Sequence, residues 1–290
     1  MQNSIFSGFF NILKPCGPSS SDIVVKVRKI TGIKKIGHLG TLDPYAAGVL
    51  PVAVGKATKL FDLLAFKEKK YRAVFTFGIE TDTGHSDGII TETSDIIPSF
   101  DSVKQALKHF TGEIDQIPHR YSAVKIEGQK AYDLAREGKQ FILKSKKVYI
   151  KSFELLRQKE NEFTFDIVCS GGTYIRSLCR DLASLLKTKA YMSMLIRLSS
   201  GAFDINNSVT LKELEHSIGD NMLDITYPIA YMEKIIADEK YYKALINGIA
   251  IDFKSEDKKQ VLVYCGGEFF GIGSITDNKL KVNTFLKDIL

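Results

Sequence analysis

Residues 37–44 carry one carboxylate, Asp43, in a glycine-rich stretch that ends at a proline. Apolar segments lie on both sides, which predicts a loop between two ordered elements. Loops held by a rigid scaffold are where catalytic side chains concentrate. An aspartate in such a loop can transfer a proton or act as a nucleophile. Because Gly, Asp and Pro are also common turn formers, an Asp-Pro pair alone would indicate only a turn.

The sequence around this loop predicts the elements that hold it. Ser19 and Asp22 are N-cap residue types ahead of a helical repeat of apolar residues that ends near Gly32. Strict alternation at 71–79 and 163–169 predicts two strands, each with one apolar face. Further patterns predict strands at 8–13, 195–198, 260–264, 268–273 and 279–282, and helices at 103–110, 178–186 and 210–218.

Composition limits the classes of protein to consider. The chain has 290 residues, enough for one large domain and a small one, and 44% of them are hydrophobic. A net charge of +6 is compatible with a polyanionic partner. No apolar run approaches the length of a membrane helix, and the N-terminus lacks the pattern of a signal peptide. We therefore expect a cytoplasmic protein with no membrane partner.

Neither a metal site nor a disulfide framework is expected. The four cysteines are widely spaced with no Cys-x-x-Cys pair. The five histidines show no metal-ligand spacing.

Six segments, in order along the chain, resemble motifs of the TruB family, the tRNA pseudouridine-55 synthases. They are residues 13–20, 37–51, 70–72, 81–88, 116–125 and 172–177. The resemblance covers residues 9 to about 200. It implies that the substrate is tRNA and that the target is uridine 55 in the T-arm.

The implied reaction converts uridine to its C-glycoside isomer. The N1–C1′ bond breaks, the uracil turns over, and C5 bonds to C1′, so no redox change occurs and no cofactor is expected. Asp43 is the candidate nucleophile, because an aspartate with an ordinary pKa of about 3.9 is already ionised at neutral pH. It could add to C6 of the uracil or act at C1′ of the ribose, and the sequence leaves both routes open.

Two further residues are candidates for the catalytic group. Arg176 is the natural partner of Asp43, since a guanidinium would keep the carboxylate ionised through as many as two parallel hydrogen bonds. In the family, the tyrosine that matches Tyr71 stacks on the target base and is the candidate base for the C5 proton. With an ordinary pKa of about 10, such a tyrosine would need help from the site to accept a proton.

The remaining candidates are substrate-binding residues. The target must be flipped out of the folded tRNA before Asp43 can reach it. His38 resembles the family histidine that stacks beneath the displaced nucleotide. Tyr174 and Leu195 correspond to positions that line the uridine pocket, although Leu195 would equally suit a plain core. Lys14 is expected to bind a phosphate or to brace the loop of residues 37–44, which is called the catalytic loop below.

The implied fold is that of the pseudouridine synthases. This is an α+β (mixed α/β) domain with a mostly antiparallel central sheet flanked by helices, expected here at residues 1–237. Residues 238–290 are similar to a short PUA domain, a small β-rich RNA-binding module. We expect a monomer.

Four alternatives compete with this interpretation. A tRNA-binding folding chaperone without catalysis would bind tRNA and give no product. A relative that acts only in a guide-RNA complex would keep the chemistry, but the lack of a long basic tail favours a stand-alone enzyme. A Walker A loop is excluded, because Leu50 and Ala57 stand where it needs Gly and Ser or Thr. A glycoside hydrolase is disfavoured, since Asp82 and Asp87 show no clear pairing with Asp43.

Overall fold

The computed structural model describes residues 7–65, 67–122 and 124–287. Its strands are β1 (Gly8–Lys14), β2 (Ile36–His38), β3 (Ala46–Val54), β4 (Lys69–Phe77), β5 (Ile79–Thr81), β6 (Ile90–Thr93), β7 (Gly112–Gln116), β8 (Lys125–Ile126), β9 (Gln129–Lys130), β10 (Lys146–Lys159), β11 (Glu162–Cys169), β12 (Ala190–Ser200), β13 (Phe203–Asp204), β14 (Leu223–Asp224), β15 (Lys234–Ala237), β16 (Ile251–Asp252), β17 (Lys258–Cys265), β18 (Glu268–Thr276) and β19 (Lys279–Phe285). Its α-helices are α1 (Ser20–Thr31), α2 (Phe61–Ala65), α3 (Phe100–Ala106), α4 (Ala131–Arg136), α5 (Ile175–Leu185), α6 (Leu211–His216) and α7 (Tyr242–Ile246).

The main sheet has the strand order β14-β1-β3-β12-β4-β11-β10-β7, with β2 paired to β3 and β13 to β12. Neighbouring strands pair antiparallel except β3 and β12, which run parallel. Asp43 lies between β2 and β3, so the catalytic loop leads directly into this parallel pair. The predicted fold class, a mostly antiparallel sheet with flanking helices and a β-rich C-terminal module, is confirmed.

Helix α1 begins and ends where its sequence signals predict. Ser19 accepts from the Asp22 backbone N–H, and the Asp22 carboxylate accepts from the Ser19 backbone N–H, which forms a capping box. Gly32 ends the helix in the left-handed conformation. Ile23 and Val27 are fully buried, in one cluster with apolar residues of β1 and β3. This packing fixes the N-terminus of α1 beside the loop that holds Asp43.

Several predicted boundaries were wrong, and two of them reflect a break in the element. The strand expected at 71–79 is β4, which ends at Phe77, because Gly78 has a φ of +97° and turns the chain before β5 begins. The helix expected at 103–110 is α3 followed by a 3₁₀ turn from Leu107 to Phe110.

Aromatic side chains fill the core under the centre of the sheet. Phe75 of β4 and Phe165 of β11 have ring centroids 4.8 Å apart, within the range of favourable aromatic packing. The same cluster includes Leu42, Tyr71 and Leu195. The catalytic loop and the candidate pocket residues are therefore anchored to the main core.

The second sheet has the order β15-β17-β18-β19-β16 and its own apolar core. It begins with β15, ahead of the boundary expected near residue 237, and the exact division of the chain stays a prediction. Leu262 and Ile272 of this sheet share a buried cluster with Phe9 and Leu60 of the first domain. Among the described residues, no helix has the length and apolar character needed to cross a bilayer.

Candidate active site

The loop that carries Asp43 is held from both sides. The Leu42 N–H donates to Ser20 Oγ over 2.8 Å, and the same hydroxyl donates to the Leu42 carbonyl oxygen over 2.9 Å. On the other side, the Ala46 N–H donates to the Asp43 carbonyl oxygen over 3.0 Å. The backbone at Asp43 is thus fixed by α1 and by the start of β3.

Lys14 braces this loop from below. Its side chain is fully buried, and Nζ donates to the carbonyl oxygens of Ala46, Pro44 and Pro15 at 2.6, 3.2 and 2.9 Å. Burial lowers the pKa of Lys14, and the charge of Asp43 opposes that shift. With its ammonium among backbone carbonyls, Lys14 is placed for bracing and presents no exposed surface to a phosphate.

Arg176 contacts Asp43 as the sequence predicts, but through an ion pair from one nitrogen where two parallel hydrogen bonds were envisaged. Its Nη2 lies 2.9 Å from Asp43 Oδ2 and also donates to the Tyr121 carbonyl oxygen over 2.7 Å. Nη1 donates to the Thr83 carbonyl oxygen over 3.0 Å. The arginine is buried near the start of α5, so these contacts fix its orientation.

His85 also faces Asp43 and is absent from the predicted site. Its Nε2 lies 3.5 Å from Asp43 Oδ2, is buried, and has no hydrogen-bond partner among the described residues. The Thr81 hydroxyl donates to the His85 carbonyl oxygen over 2.7 Å, which holds the backbone there. The motif at 81–88 was the signal for this residue, but nothing in it indicated contact with Asp43.

These neighbours decide the ionisation of Asp43. Burial would raise the pKa of its carboxyl, but the His85 imidazole and the Arg176 guanidinium lower it more, so the net pKa lies below the ordinary value. The side chain keeps 34% of its accessible surface. Asp43 is therefore a carboxylate at neutral pH and is open to a ligand.

Tyr71 lies beside a buried arginine that the sequence analysis did not single out. Tyr71 of β4 pairs with Arg197 of β12 across the sheet, and its side chain is nearly fully buried. Burial raises the pKa of Tyr71, and Arg197 offsets only part of that rise. The phenol is therefore neutral at pH 7. The positive charge of Arg197 is not enough by itself to ionise Tyr71 and make it a strong base.

The other predicted residues surround the loop. Leu195 is buried and pairs with Ala46 at the start of β3. Tyr174 is half-buried at the N-terminus of α5, and Lys146 Nζ lies 4.3 Å from its ring centroid. His38 is half-buried within strand β2, whereas the sequence predicted a loop over residues 37–44. Burial, and then Arg197, lower the pKa of His38, so its imidazole is neutral.

Among the described residues, no three His, Cys, Asp or Glu side chains come together as metal ligands.

Two family models match the chain. Residues 28–175 match the TruB family pseudouridylate synthase (N terminal domain), and residues 176–240 match the tRNA pseudouridylate synthase B C-terminal domain. The chain belongs to the TruB family of pseudouridylate synthases. The predicted recognition is confirmed, and the chain is an isomerase of the pseudouridine synthase class.

Curated TruB relatives match over almost the whole length. The chain is 41% identical over 278 residues to tRNA pseudouridine synthase B of Alkaliphilus oremlandii, covering 93% of each chain. It is 40% identical over 288 residues to the protein of that name from Clostridioides difficile, covering 94% of this chain and 96% of the relative.

Solved structures share the TruB fold. One is an H/ACA ribonucleoprotein bound to a substrate RNA containing 2′-deoxyuridine, with a TM-score of 0.72 at 23% identity, covering 97% of this chain and 85% of that one. Another is a Cbf5–Nop10–Gar1 complex, with a TM-score of 0.70 at 26% identity, covering 93% of this chain and 78% of that one.

Proposed function

We propose that this enzyme isomerises uridine 55 in the T-arm of tRNA, with Asp43 as the nucleophile. The observation that carries the proposal is the geometry of one carboxylate. Arg176 and His85 both face Asp43 Oδ2, whereas Oδ1 makes no hydrogen bond or ion pair with any described residue. One oxygen is held, and the other is free to attack.

The reaction can be balanced with groups at this site. Asp43 adds to C6 of uracil or takes C1′ of ribose, and both routes remain open. In either case N1 leaves C1′, C5 bonds to C1′, and the bond to Asp43 breaks to restore the free carboxylate. The C5 proton departs while N1 gains one, so no proton is lost or gained overall. The Tyr71 hydroxyl is the candidate acceptor for the C5 proton, and Arg176 keeps the carboxylate ionised before attack.

The substrate base would lie against Tyr71, Tyr174 and Leu195. Burial raises the pKa of both tyrosine hydroxyls, and the charge of Asp43 acts in the same direction. Leu195 shares a buried cluster with Tyr71 and Leu42. Aromatic stacking on an extruded base is worth about 1–3 kcal/mol, which offsets much of the few kcal/mol that flipping costs.

The tRNA substrate follows from the relatives, which carry tRNA in their names, and from the basic character of the chain. That the enzyme acts as a cytoplasmic monomer, without a cofactor, stays a prediction.

Mapping the product on tRNA tests the site of modification. An unmodified tRNA transcript is incubated with the enzyme, treated with carbodiimide, and read by primer extension. We expect a single stop in the T-arm, at position 55. A stop elsewhere would refute the assigned position, and no stop despite tight binding would favour the chaperone interpretation.

A further inference from the structure

Lys69, the first residue of β4, is a mostly buried cation without a partner. It is 8% exposed, and its side chain makes no hydrogen bond or ion pair with the described residues. Its ammonium is not sealed, unlike His38 Nδ1 and His85 Nε2, which are buried polar atoms without partners. Burying an uncompensated charge is unfavourable, so such a lysine requires an explanation.

Arg197 of β12 lies next to it and also lacks a counter-charge. The guanidinium is fully buried, and its hydrogen bonds go to backbone carbonyls: Nε to Val49 over 2.7 Å and Nη2 to Gly40 over 3.2 Å. The Tyr71 hydroxyl also faces it. None of these acceptors is a carboxylate, and no ion pair joins Arg197 to any described residue.

The two cations meet at Gly40 of the catalytic loop. A methyl group built on Gly40 would lie 3.2 Å from Lys69 Nζ and 3.7 Å from Arg197 Nη1. Two like charges in a poorly solvated place repel each other. That arrangement becomes favourable when an anion binds to Lys69, the less buried of the two, since hydrogen bonds to a charged acceptor are the strong ones.

We propose that the Lys69 ammonium contacts one phosphodiester group of the RNA beside Gly40 of the catalytic loop, with the buried charge of Arg197 adding to the positive potential there. This subsite rests on the proposed function, because its ligand is a phosphate of the RNA substrate proposed there. Lys69 and Tyr71 are two residues apart on β4 and share a face of the strand. The phosphate therefore belongs to the flipped uridine or to a nucleotide beside it.

The other charged groups near Lys69 also favour the binding of an anion. Burial, then the charge of Arg197, lower the pKa of Lys69 to about 8, and Lys146 acts in the same direction. Cys169 lies near Lys69, and its thiolate would raise the pKa of Lys69. Burial raises the pKa of that thiol to about 11, however, so it is uncharged at pH 7. Lys69 remains mostly protonated at neutral pH in this wholly basic surrounding.

The test compares Lys69→Gln with Lys69→Arg for binding of tRNA, both in an Asp43→Asn background that prevents turnover. Losing one charge-assisted contact should weaken affinity roughly ten- to a hundredfold at low salt. The slope of log K against log salt should become shallower by about one. Lys69→Arg keeps the charge and should retain most of the slope.

The matched control is Lys159→Gln. Lys159 is exposed in the β10–β11 hairpin and pairs with Glu162 of β11. Glu162 in turn pairs with Thr76 of β4, about 23 Å along that strand from Lys69. The Lys159→Gln substitution removes the same unit of charge as Lys69→Gln. We expect its tRNA affinity to lie within about twofold of the parent, because a remote exposed charge is strongly screened. A general loss of net charge is thereby separated from the loss of a local contact.

Two further readouts locate the contact. Above pH 8 the parent should lose affinity by about tenfold per pH unit at most, whereas Lys69→Arg should not, because arginine stays charged.

A T-arm hairpin carrying a single methylphosphonate linkage should bind the parent less well when that linkage is at one particular position. At that position the neutral linkage should not lower the RNA affinity of Lys69→Gln any further, because the contact is already lost in this variant.

The outcomes separate this subsite from the function it rests on. Equal affinities and salt slopes for Lys69→Gln and Lys159→Gln would overturn the subsite while leaving the function intact. A loss of turnover by Lys69→Gln in the enzyme that retains Asp43, with unchanged affinity in the Asp43→Asn background, would also overturn it, since a proton-transfer role would then fit better. If the parent failed to bind tRNA at all, both proposals would fall.

Discussion

At the scale of single residues, Tyr71 presents the sharpest chemical problem. Burial raises the pKa of its hydroxyl, so the phenolate is scarce at neutral pH and the neutral phenol is a weak base. In the proposed mechanism it takes the C5 proton only after C5 has bonded to C1′, when that proton has become acidic. The hydroxyl is thus assigned to a late step, and the ring to stacking from the outset.

Replacing Tyr71 with Phe separates these two roles. The ring remains and the hydroxyl is lost, so tRNA affinity should persist while turnover falls roughly 10²–10⁴-fold, as for loss of a general base. Single-turnover release of tritium from tRNA labelled at C5 of uridine measures this step. Tyr149→Phe, at an exposed tyrosine on β10, is the control. Near-normal release by Tyr71→Phe would exclude Tyr71 as the base.

At the scale of elements, the parallel contact between β3 and β12 holds the site together. Gly48 of β3 pairs with Arg197 of β12, and Leu195 pairs with Ala46 at the end of the catalytic loop. Gly48 has a φ of +106°, and a Cβ there would overlap the Arg197 carbonyl oxygen. The glycine therefore permits the close approach that places Arg197 beneath the loop.

Gly48→Ala should destabilise the fold and reduce activity together. A positive φ alone costs an alanine about 1–2 kcal/mol, and the overlap with β12 should add at least as much again. Gly17→Ala is the matched control, because Gly17 has a φ of +109° and no atom lies within 4 Å of the place that a Cβ would occupy. Denaturant unfolding gives both free energies. Equal losses for the two variants would mean that the β3–β12 contact tolerates a side chain.

Local patterns predicted the elements well and their long-range contacts poorly. The alternation at 163–169 gave β11, and the cap residues Ser19 and Gly32 gave α1, because these signals act within a few residues. The parallel pairing of β3 with β12 joins segments about 150 residues apart, and no local period encodes it.

The site followed the same division. The contact of Arg176 with Asp43 was predicted through the family motifs. The approach of His85 to Asp43 and the burial of Lys69 beside Arg197 were not, because each depends on how distant strands stack. A charged residue in an alternating strand looks solvent-facing from sequence alone, and Lys69 departs from that pattern.

At the scale of the whole molecule, the two sheets share a buried cluster. Leu262 of β17 packs in this cluster with Phe9 and Leu60, and Lys59 Nζ donates to the Phe285 carbonyl oxygen over 2.9 Å. The C-terminal module is therefore docked on the first domain by apolar contacts as well as by the chain. This attachment would keep the module at a fixed distance from the catalytic loop.

Leu262→Ala should accordingly lower the stability of the entire chain. Leu→Ala at a fully buried site costs about 2–5 kcal/mol. Leu280→Ala removes an equally buried leucine from the core of the module alone and is the control. We expect circular dichroism to show one cooperative transition in both variants. A separate early transition of the module in Leu280→Ala, with the rest unaffected, would show that the sheets are not coupled.

The central claim is that Asp43 attacks the uridine, and Asp43→Asn tests it most directly. The asparagine has nearly the same shape but carries no charge and is a poor nucleophile. Single-turnover tritium release from C5-labelled tRNA is measured for both proteins, alongside their tRNA affinity. We expect the variant to bind tRNA about as tightly as the parent and to release no tritium above background. Release at a rate near that of the parent would contradict the assignment of Asp43 as the nucleophile.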